Sequence, residues 1–383
     1  MAQLLGFTNI DDKGIEGLEL AYQDWLLGLS GKRRVLKDRM GRVIDDLGII
    51  QESRPGKDLV LSIDRRIQFI AYSELLNTLA KHKAKSGSVV VLDTEHNEVL
   101  AMANAPSFNP NARAGYASER YRNKAAIDTF EPGSVIKPFS IASGLLSGLY
   151  KPDSIIDTNP SWMVVHGRTI RDIHNYGVLN VSGVLEHSSN VGVSKMVLSS
   201  PPEQFINLLK RCGVGVKTDS GYPGESEGFI VKVADANPFV LATLSFGYGL
   251  SVTTLQLARM YSIFANNGYL LPIQLTHYER DTPGELALDP AITQDVLTML
   301  EQVVKHGTGE SAAVSGYRVA GKTGTARIAG KKGYEERRYI ASFVGIAPVS
   351  KPRLVVAVVI KEPSLSSYYA NQVAGPLFSK IMG

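Results

Sequence analysis

Ser134 and Lys137 stand three residues apart in the stretch Phe130-Glu131-Pro132-Gly133-Ser134-Val135-Ile136-Lys137-Pro138-Phe139. Pro132-Gly133 interrupts the preceding chain, and the apolar run from Phe139 to Leu149 has helical periodicity, so the serine is predicted to open a helix. Residues three apart on a helix share a face, which puts the Lys137 amine over the Ser134 hydroxyl. A serine is a weak nucleophile at neutral pH and needs an adjacent base. Lys137 can be that base only when neutral. Its pKa must fall from about 10.4 to near 7, roughly 4 kcal/mol of desolvation and charge repulsion, which a buried cleft with a second cation could supply. Pro138 is expected as an interior helix proline whose strain marks a special site. The plainer alternative is a helix start with an ordinary Ser and Lys, because Ser-x-x-Lys recurs by chance in long chains.

Two more stretches carry polar groups at suggestive spacings. His187-Ser188-Ser189-Asn190-Val191-Gly192 falls where a helical pattern over Val181 to Leu198 breaks. A turn between helices can aim the Ser188 hydroxyl and the Asn190 amide into a cleft, the first to relay a proton, the second to hold a lysine and a substrate amide. Helix capping accounts for the same residues without chemistry. His187 reads as a packing or hydrogen-bonding residue. Ala320-Gly321-Lys322-Thr323-Gly324-Thr325-Ala326-Arg327 ends a predicted strand. Gly321 and Gly324 remove side chains beside that strand, so a substrate peptide can lie along its edge as an added strand. Lys322, Thr323 and Thr325 offer a cation and hydroxyls to a terminal carboxylate. Gly316 to Thr323 also matches the Gly-x-x-x-x-Gly-Lys-Thr phosphate loop in form. That loop must open a helix, whereas Lys322 leads into a glycine-rich polar hairpin, so the phosphate reading is rejected.

The elements that must position these residues follow from pattern. A helical stripe covers Gly14 to Leu27, two charged strands flank Arg39-Met40-Gly41, and Ser53-Arg54-Pro55-Gly56 reads as a linker, giving a small unit at 1–56 and a large one at 57–383. Leu59 to Ile63 is strand-like, and Asp64 caps a helix through Leu79. Ser88–Asp93 and Glu98–Ala103 form a hairpin, and Asn104 to Asn123 is loop. Helices are expected at Pro202–Arg211, Thr253–Asn266, Ile292–His306 and Val373–Met382, with strands at Tyr317–Lys322, Tyr339–Ala347 and Arg353–Lys361. The early hairpin and three late strands make one antiparallel sheet of about five strands covered by helices, with a helical subdomain, an α+β fold.

Composition excludes several classes. With 383 residues, 44% hydrophobic and 20% charged, the chain can bury a sizeable core. A net charge of +4 and the absence of a Lys/Arg block or aromatic-basic array argue against nucleic acid. Cys212 is the single cysteine, which excludes an internal disulfide and a cysteine metal site; no His-Glu-x-x-His pair is present, so neither a metal nor another cofactor is expected. No apolar run approaches the roughly 18 residues of a membrane span, and no signal-peptide pattern opens the chain.

Ser134-x-x-Lys137, Ser188-x-Asn190 and Lys322-Thr323-Gly324 in this order are the set known for penicillin-interacting serine enzymes. The chain resembles the class B penicillin-binding proteins, and among them the division-specific peptidoglycan D,D-transpeptidases. The similarity runs over nearly the whole length, through Gly6-Phe7-Thr8-Asn9, Lys37-Asp38-Arg39, Leu61-Ser62-Ile63-Asp64, Arg171-Asp172, Ser188 to Gly192 and Ser245-Phe246-Gly247-Tyr248-Gly249-Leu250. The resemblance implies the penicillin-binding-protein/serine β-lactamase-like fold, with residues 1–56 as the end of a non-catalytic pedestal. It implies that Ser134 attacks the penultimate D-Ala of a stem peptide, that Lys137 takes its proton, that Ser188 passes a proton to the leaving D-Ala, and that Asn190 positions Lys137 and a substrate amide. Lys322, Thr323, Gly324 and Thr325 would bind the substrate, Lys322 would depress the Lys137 pKa, and the N–H groups of Ser134 and Thr325 would form the oxyanion hole. Tyr248, Tyr368 and Tyr369 resemble the aromatic lining of the family's cleft, with ordinary packing an equal alternative. Arg327 and the charged hairpin Gly330 to Arg338 read as a solvated loop, with contact to partners as the alternative. β-Lactams would acylate Ser134. The septal glycosyltransferase and other division proteins are implied partners, and the periplasmic face of the inner membrane the implied location, through an anchor that is not in this sequence. Ala370-Asn371-Gln372 stands where relatives often have glycines, which leaves the cleft rim open. D,D-carboxypeptidase, β-lactamase and a non-catalytic β-lactam sensor share the acylation step and stay as alternatives.

Overall fold

The run Leu354–Lys361 is apolar on both sides, so both of its faces must be covered. In the computed structural model this run is the middle strand of a five-stranded antiparallel sheet. The structure describes residues 1–111, 117–277, 283–330, 333–364 and 366–383. In chain order the sheet strands are β1 (Ser86–Asp93), β2 (Val99–Ala105), β3 (Ala320–Gly330), β4 (Gly333–Ala347) and β5 (Leu354–Lys361). Their spatial order is β3-β4-β5-β1-β2, which makes β3, bearing Lys322 to Thr325, an edge.

Alternation along β5 divides the core. Val355, Ala357 and Val359 join the cluster of the helical block, while Val356, Val358 and Ile360 pack with Ala71, Leu75, Val373, Leu377 and Phe378. The second set comes from α1 (Arg65–His82) and from the C-terminal helix Ala370–Met382, which lie on one face of the sheet. Asp64 caps α1 as expected, accepting from the N–H groups of Arg66 and Ile67. The other face carries α2 (Lys137–Leu146), α3 (Val181–Glu186), α4 (Asn190–Leu198), α5 (Pro202–Arg211), α6 (Pro238–Leu244), α7 (Thr254–Ala265) and α8 (Pro290–His306), and the C-terminal helix is α9. Each large apolar side chain buried between these layers is worth about 1.5–3 kcal/mol.

Several expectations are corrected. Gly14 to Leu27 is not one helix: Gly14–Glu16 pairs as a short strand, and Gly17–Ala21 and Gln23–Leu26 are separate single turns broken at Tyr22. Leu59 to Ile63 is not a strand; one bridge, Leu61 to Thr276, is what its extended backbone finds. The third motif does not end its strand, because β3 continues through Gly330, paired in register with β4 at Gly324–Ser342 and Thr325–Ala341. Strand rather than helix follows Lys322, in keeping with the rejection of a phosphate loop. Asn104 to Asn123 contains a 3-10 turn at Ser118–Arg120, with 112–116 outside the described residues. Of the hairpin Gly330 to Arg338, 331 and 332 also lie outside them.

Candidate active site

Ser134 sits in a 3-10 turn, Gly133–Ile136, and α2 begins only at Lys137. Side chains three apart are eclipsed in a 3-10 turn, an arrangement that favours Lys137 lying over Ser134. Pro138 consequently lies in the first turn of α2, where its N–H would have no intrahelical partner. The strain expected of an interior proline is not there.

The turn is fixed from behind. The Tyr261 hydroxyl, fully buried, donates to the Val135 carbonyl at 2.7 Å, and Gly249 N–H donates to Glu131 Oε1 at 2.8 Å. Gly133 N–H donates to the Gly247 carbonyl at 3.1 Å. Gly247 has φ +85°, and a Cβ there would lie 2.1 Å from the Gly133 carbonyl oxygen. On the other side Gly324 meets the same loop: its Cβ would lie 2.7 Å from the Pro132 carbonyl oxygen. The backbone that Gly324 admits is thus the nucleophile loop of this chain, whereas a Cβ at Gly321 would run into the Phe343 ring.

Ser188 occupies the break between α3 and α4 at φ +58°. A non-glycine residue pays about 1–2 kcal/mol for that conformation. The conformation turns both of its oxygens toward Lys137, whose amine donates to the Ser188 carbonyl and, at 3.0 Å, to Ser188 Oγ. Lys322 donates to the same Oγ at 3.0 Å. One hydroxyl oxygen therefore joins two fully buried amines. The Asn190 amide donates to the Arg171 carbonyl at 2.9 Å, and in this state the hydrogen bonds of Lys137 go to Ser188.

Burial lowers the pKa of Lys137 to about 7, with the Asp172 carboxylate acting against the fall. Burial also holds Lys322 well below its ordinary value, and the neighbouring Lys137 charge lowers it further. The resemblance implied that Lys322 would depress Lys137; instead burial accounts for the fall at Lys137, and the repulsion between the two amines weighs on Lys322. An amine without its proton relieves it and is a base.

Two residues here were not singled out from sequence. Asp172 accepts from Ser189 Oγ at 2.6 Å, from Asn190 N–H at 2.5 Å and from Val191 N–H at 3.0 Å, which anchors the start of α4 and with it the Ser188 turn. Arg171-Asp172 formed part of the resemblance, without a role. Thr308, just past α8, takes the Thr323 hydroxyl at 2.9 Å and Lys322 at 3.4 Å. Nothing near it in sequence marks it.

In front of these groups opens a cleft of about 1230 Å³ that Ser134, Ser188, Asn190, Thr308, Thr323 and Thr325 all line. Tyr248, Tyr368 and Tyr369 line it too. Tyr368 is sandwiched between Tyr339 and Tyr369, at centroid distances of 4.1 and 4.3 Å. His187 stacks on Tyr176 at the cleft wall, a packing role as expected, and Arg327 faces the cleft. Ala370 N–H donates to Thr325 Oγ1 at 3.1 Å, so the start of α9 forms the rim that the sequence left open.

The pattern of the penicillin binding protein transpeptidase domain matches residues 87–383, over three quarters of the chain. The chain belongs to the penicillin-binding protein transpeptidase family. A second match, to the penicillin-binding protein dimerisation domain, covers residues 2–61. Among relatives, the probable peptidoglycan D,D-transpeptidase PbpC of Pseudomonas aeruginosa is 43% identical over 382 residues, taking in 100% of this chain and 68% of that protein. The peptidoglycan D,D-transpeptidase FtsI of Escherichia coli is 43% identical over 383 residues, 100% of this chain and 65% of that protein. This penicillin-binding protein chain thus spans about two thirds of the length of those relatives. The transpeptidase domain of Burkholderia pseudomallei penicillin-binding protein 3 superposes with a TM-score of 0.78 at 38% identity, covering 86% of this chain and 96% of that one.

Proposed function

We propose that the chain is a peptidoglycan D,D-transpeptidase that cross-links stem peptides at the division septum through an acyl-serine. The observation that carries this reading is the single Ser188 oxygen shared by two buried amines, at the head of the cleft that also holds Ser134. Ser134 Oγ bonds to the carbonyl carbon of the penultimate D-Ala while neutral Lys137 takes its proton. The C–N bond to the terminal D-Ala breaks, and the proton passes by way of Ser188 to the departing amine. The amine of a second stem peptide then attacks the ester, forms the new amide and returns the hydroxyl to Ser134. Lys322, Thr323 and Thr325 hold the donor's carboxylate, Gly324 lets the nucleophile loop close against β3, and Asn190 orients a substrate amide. Backbone N–H groups of Ser134 and Thr325 face the oxyanion, where losing one donor typically costs about 3–4 kcal/mol. Tyr248, Tyr368 and Tyr369 pack on the peptide.

Residues 1–56 are read as the end of the pedestal and 57–383 as the catalytic domain; the separate family matches at 2–61 and 87–383 support two units, the first running past residue 56. The septal glycosyltransferase and other division proteins are the proposed partners, on the periplasmic face of the inner membrane. The test is intact-mass spectrometry after mixing with benzylpenicillin, followed by peptide mapping. The expected result is one adduct on Ser134 that persists for many turnover times of a lactamase. Rapid return to the unmodified mass would favour a β-lactamase, release of D-Ala from a stem peptide without cross-linking a carboxypeptidase, and stable acylation with neither activity a sensor. An adduct elsewhere would refute the site.

A further inference from the structure

We infer that Thr308 is a positioning residue that sets the hydroxyl of Thr323 for an anionic substrate terminus. The inference rests on the reading of Lys322 and Thr323 as the carboxylate site. Thr308 lies outside the three motifs yet bonds to the helix before the Ser188 turn and to Lys322 and Thr323. Its N–H donates to the carbonyl of Glu186, the last residue of α3 before the Ser188 turn, at 3.3 Å. Its Oγ1 is 3.4 Å from Lys322 Nζ and 2.9 Å from Thr323 Oγ1. Gly309 N–H, donating to the Val303 carbonyl at 3.0 Å, ties the following residue back to α8. The backbone that carries the hydroxyl is therefore held by the C-terminal turns of α3 and α8.

A threonine hydroxyl has one hydrogen and two lone pairs, and an ammonium has donors only. When Lys322 is charged, Thr308 Oγ1 must accept from it. The one hydrogen of Thr308 is then available to Thr323 Oγ1, and the Thr323 hydrogen is released toward the cleft. The donors run in one direction, Lys322 to Thr308 to Thr323 to the anion. In the structure Thr323 donates to Thr308, a direction that two rotatable hydroxyls can exchange. An arriving carboxylate reverses both hydroxyls, and hydrogen bonds to a charged group are the stronger kind. Removing the Thr308 oxygen leaves Thr323 with only the long direct contact from Lys322, 3.5 Å, to free its hydrogen, and Lys322 without one acceptor.

The test compares second-order acylation rates for benzylpenicillin and for its methyl ester, which lacks the anion, in wild type, T308V, T308A and T308S. Thermal melting checks that each variant folds, and T308A and T308S keep the comparison intact where valine does not fit. T308V and T308A are expected to lose about tenfold on benzylpenicillin, the scale of one charged hydrogen bond, to lose clearly less on the ester, and to be rescued by T308S. Equal rates for variants and wild type on benzylpenicillin would overturn the inference. Equal losses on both probes would overturn it as well, because they would assign Thr308 to the fold or to the base. If wild type itself is not labelled at Ser134, the site reading fails and the relay with it, an outcome separate from the other two.

Discussion

Two buried amines on one hydroxyl oxygen are expensive to build, and they place that hydroxyl to pass a proton. Lys137→Ala is expected to abolish acylation by benzylpenicillin while leaving the melting temperature near that of wild type, and normal acylation in that variant would remove lysine as the base. Asp172 is a finer probe. Its carboxylate favours the charged form of Lys137. Asp172→Asn keeps an acceptor for the start of α4 but removes that charge, so the Lys137 pKa should move down and the pH at which acylation reaches half its maximum should move down with it. An upward move would show that the carboxylate acts on another group. At this scale the sequence was readable where chemistry is packed into a few consecutive residues, as in Ser134 to Lys137 and Lys322 to Thr325. Asp172 and Thr308 were not, because their partners lie 18 and 15 residues away and the contacts exist only once helices have docked.

Between residues and molecule, the decisive element is the 3-10 turn clamped from both sides. Gly247 supplies one jaw. A methyl group there would stand 2.1 Å from the Gly133 carbonyl oxygen, on a backbone at φ +85° that L side chains disfavour. Gly247→Ala should therefore push the turn away and lower the acylation rate about 100-fold or more, the scale of an ångström-sized misplacement of a reacting group. A wild-type rate would show that the loop yields without cost. Hydrophobic periodicity could place a helix after Ser134 but could not distinguish a 3-10 turn from an α-turn, since the two differ over one turn only in the hydrogen bond they make. For the same reason Pro138 was assigned to a helix interior when it stands at a helix start. Short elements such as α6, seven residues beginning at Pro238, carry too little pattern to be seen alone.

At the scale of the whole chain, the sheet separates support from chemistry. Val356, Val358 and Ile360 seat α1 and the body of α9 on one face, while the nucleophile and the Ser188 turn belong to the other face and the β3 edge, and the start of α9 reaches the cleft rim. Leu75→Ala, at a fully buried position of α1, should lower unfolding stability by about 2–5 kcal/mol in a denaturant titration. The acylation rate of the folded protein should stay as it was; a parallel loss of rate would mean that the two faces are coupled. The antiparallel sheet and its two groups of strands could be expected from the long alternating and apolar runs, whereas the order β3-β4-β5-β1-β2 depends on contacts between the two ends of the chain. Those same contacts strip water from Lys137, so its altered proton affinity is a property of the complete fold. The most direct test is the pH dependence of Ser134 acylation by benzylpenicillin in wild type. Neutral lysine is the active form, so the rate should rise with pH and reach half its maximum near the value of about 7 at which Lys137 loses its proton. A rate that is flat across neutral pH, or still climbing toward the ordinary lysine value of about 10.4, would contradict the account.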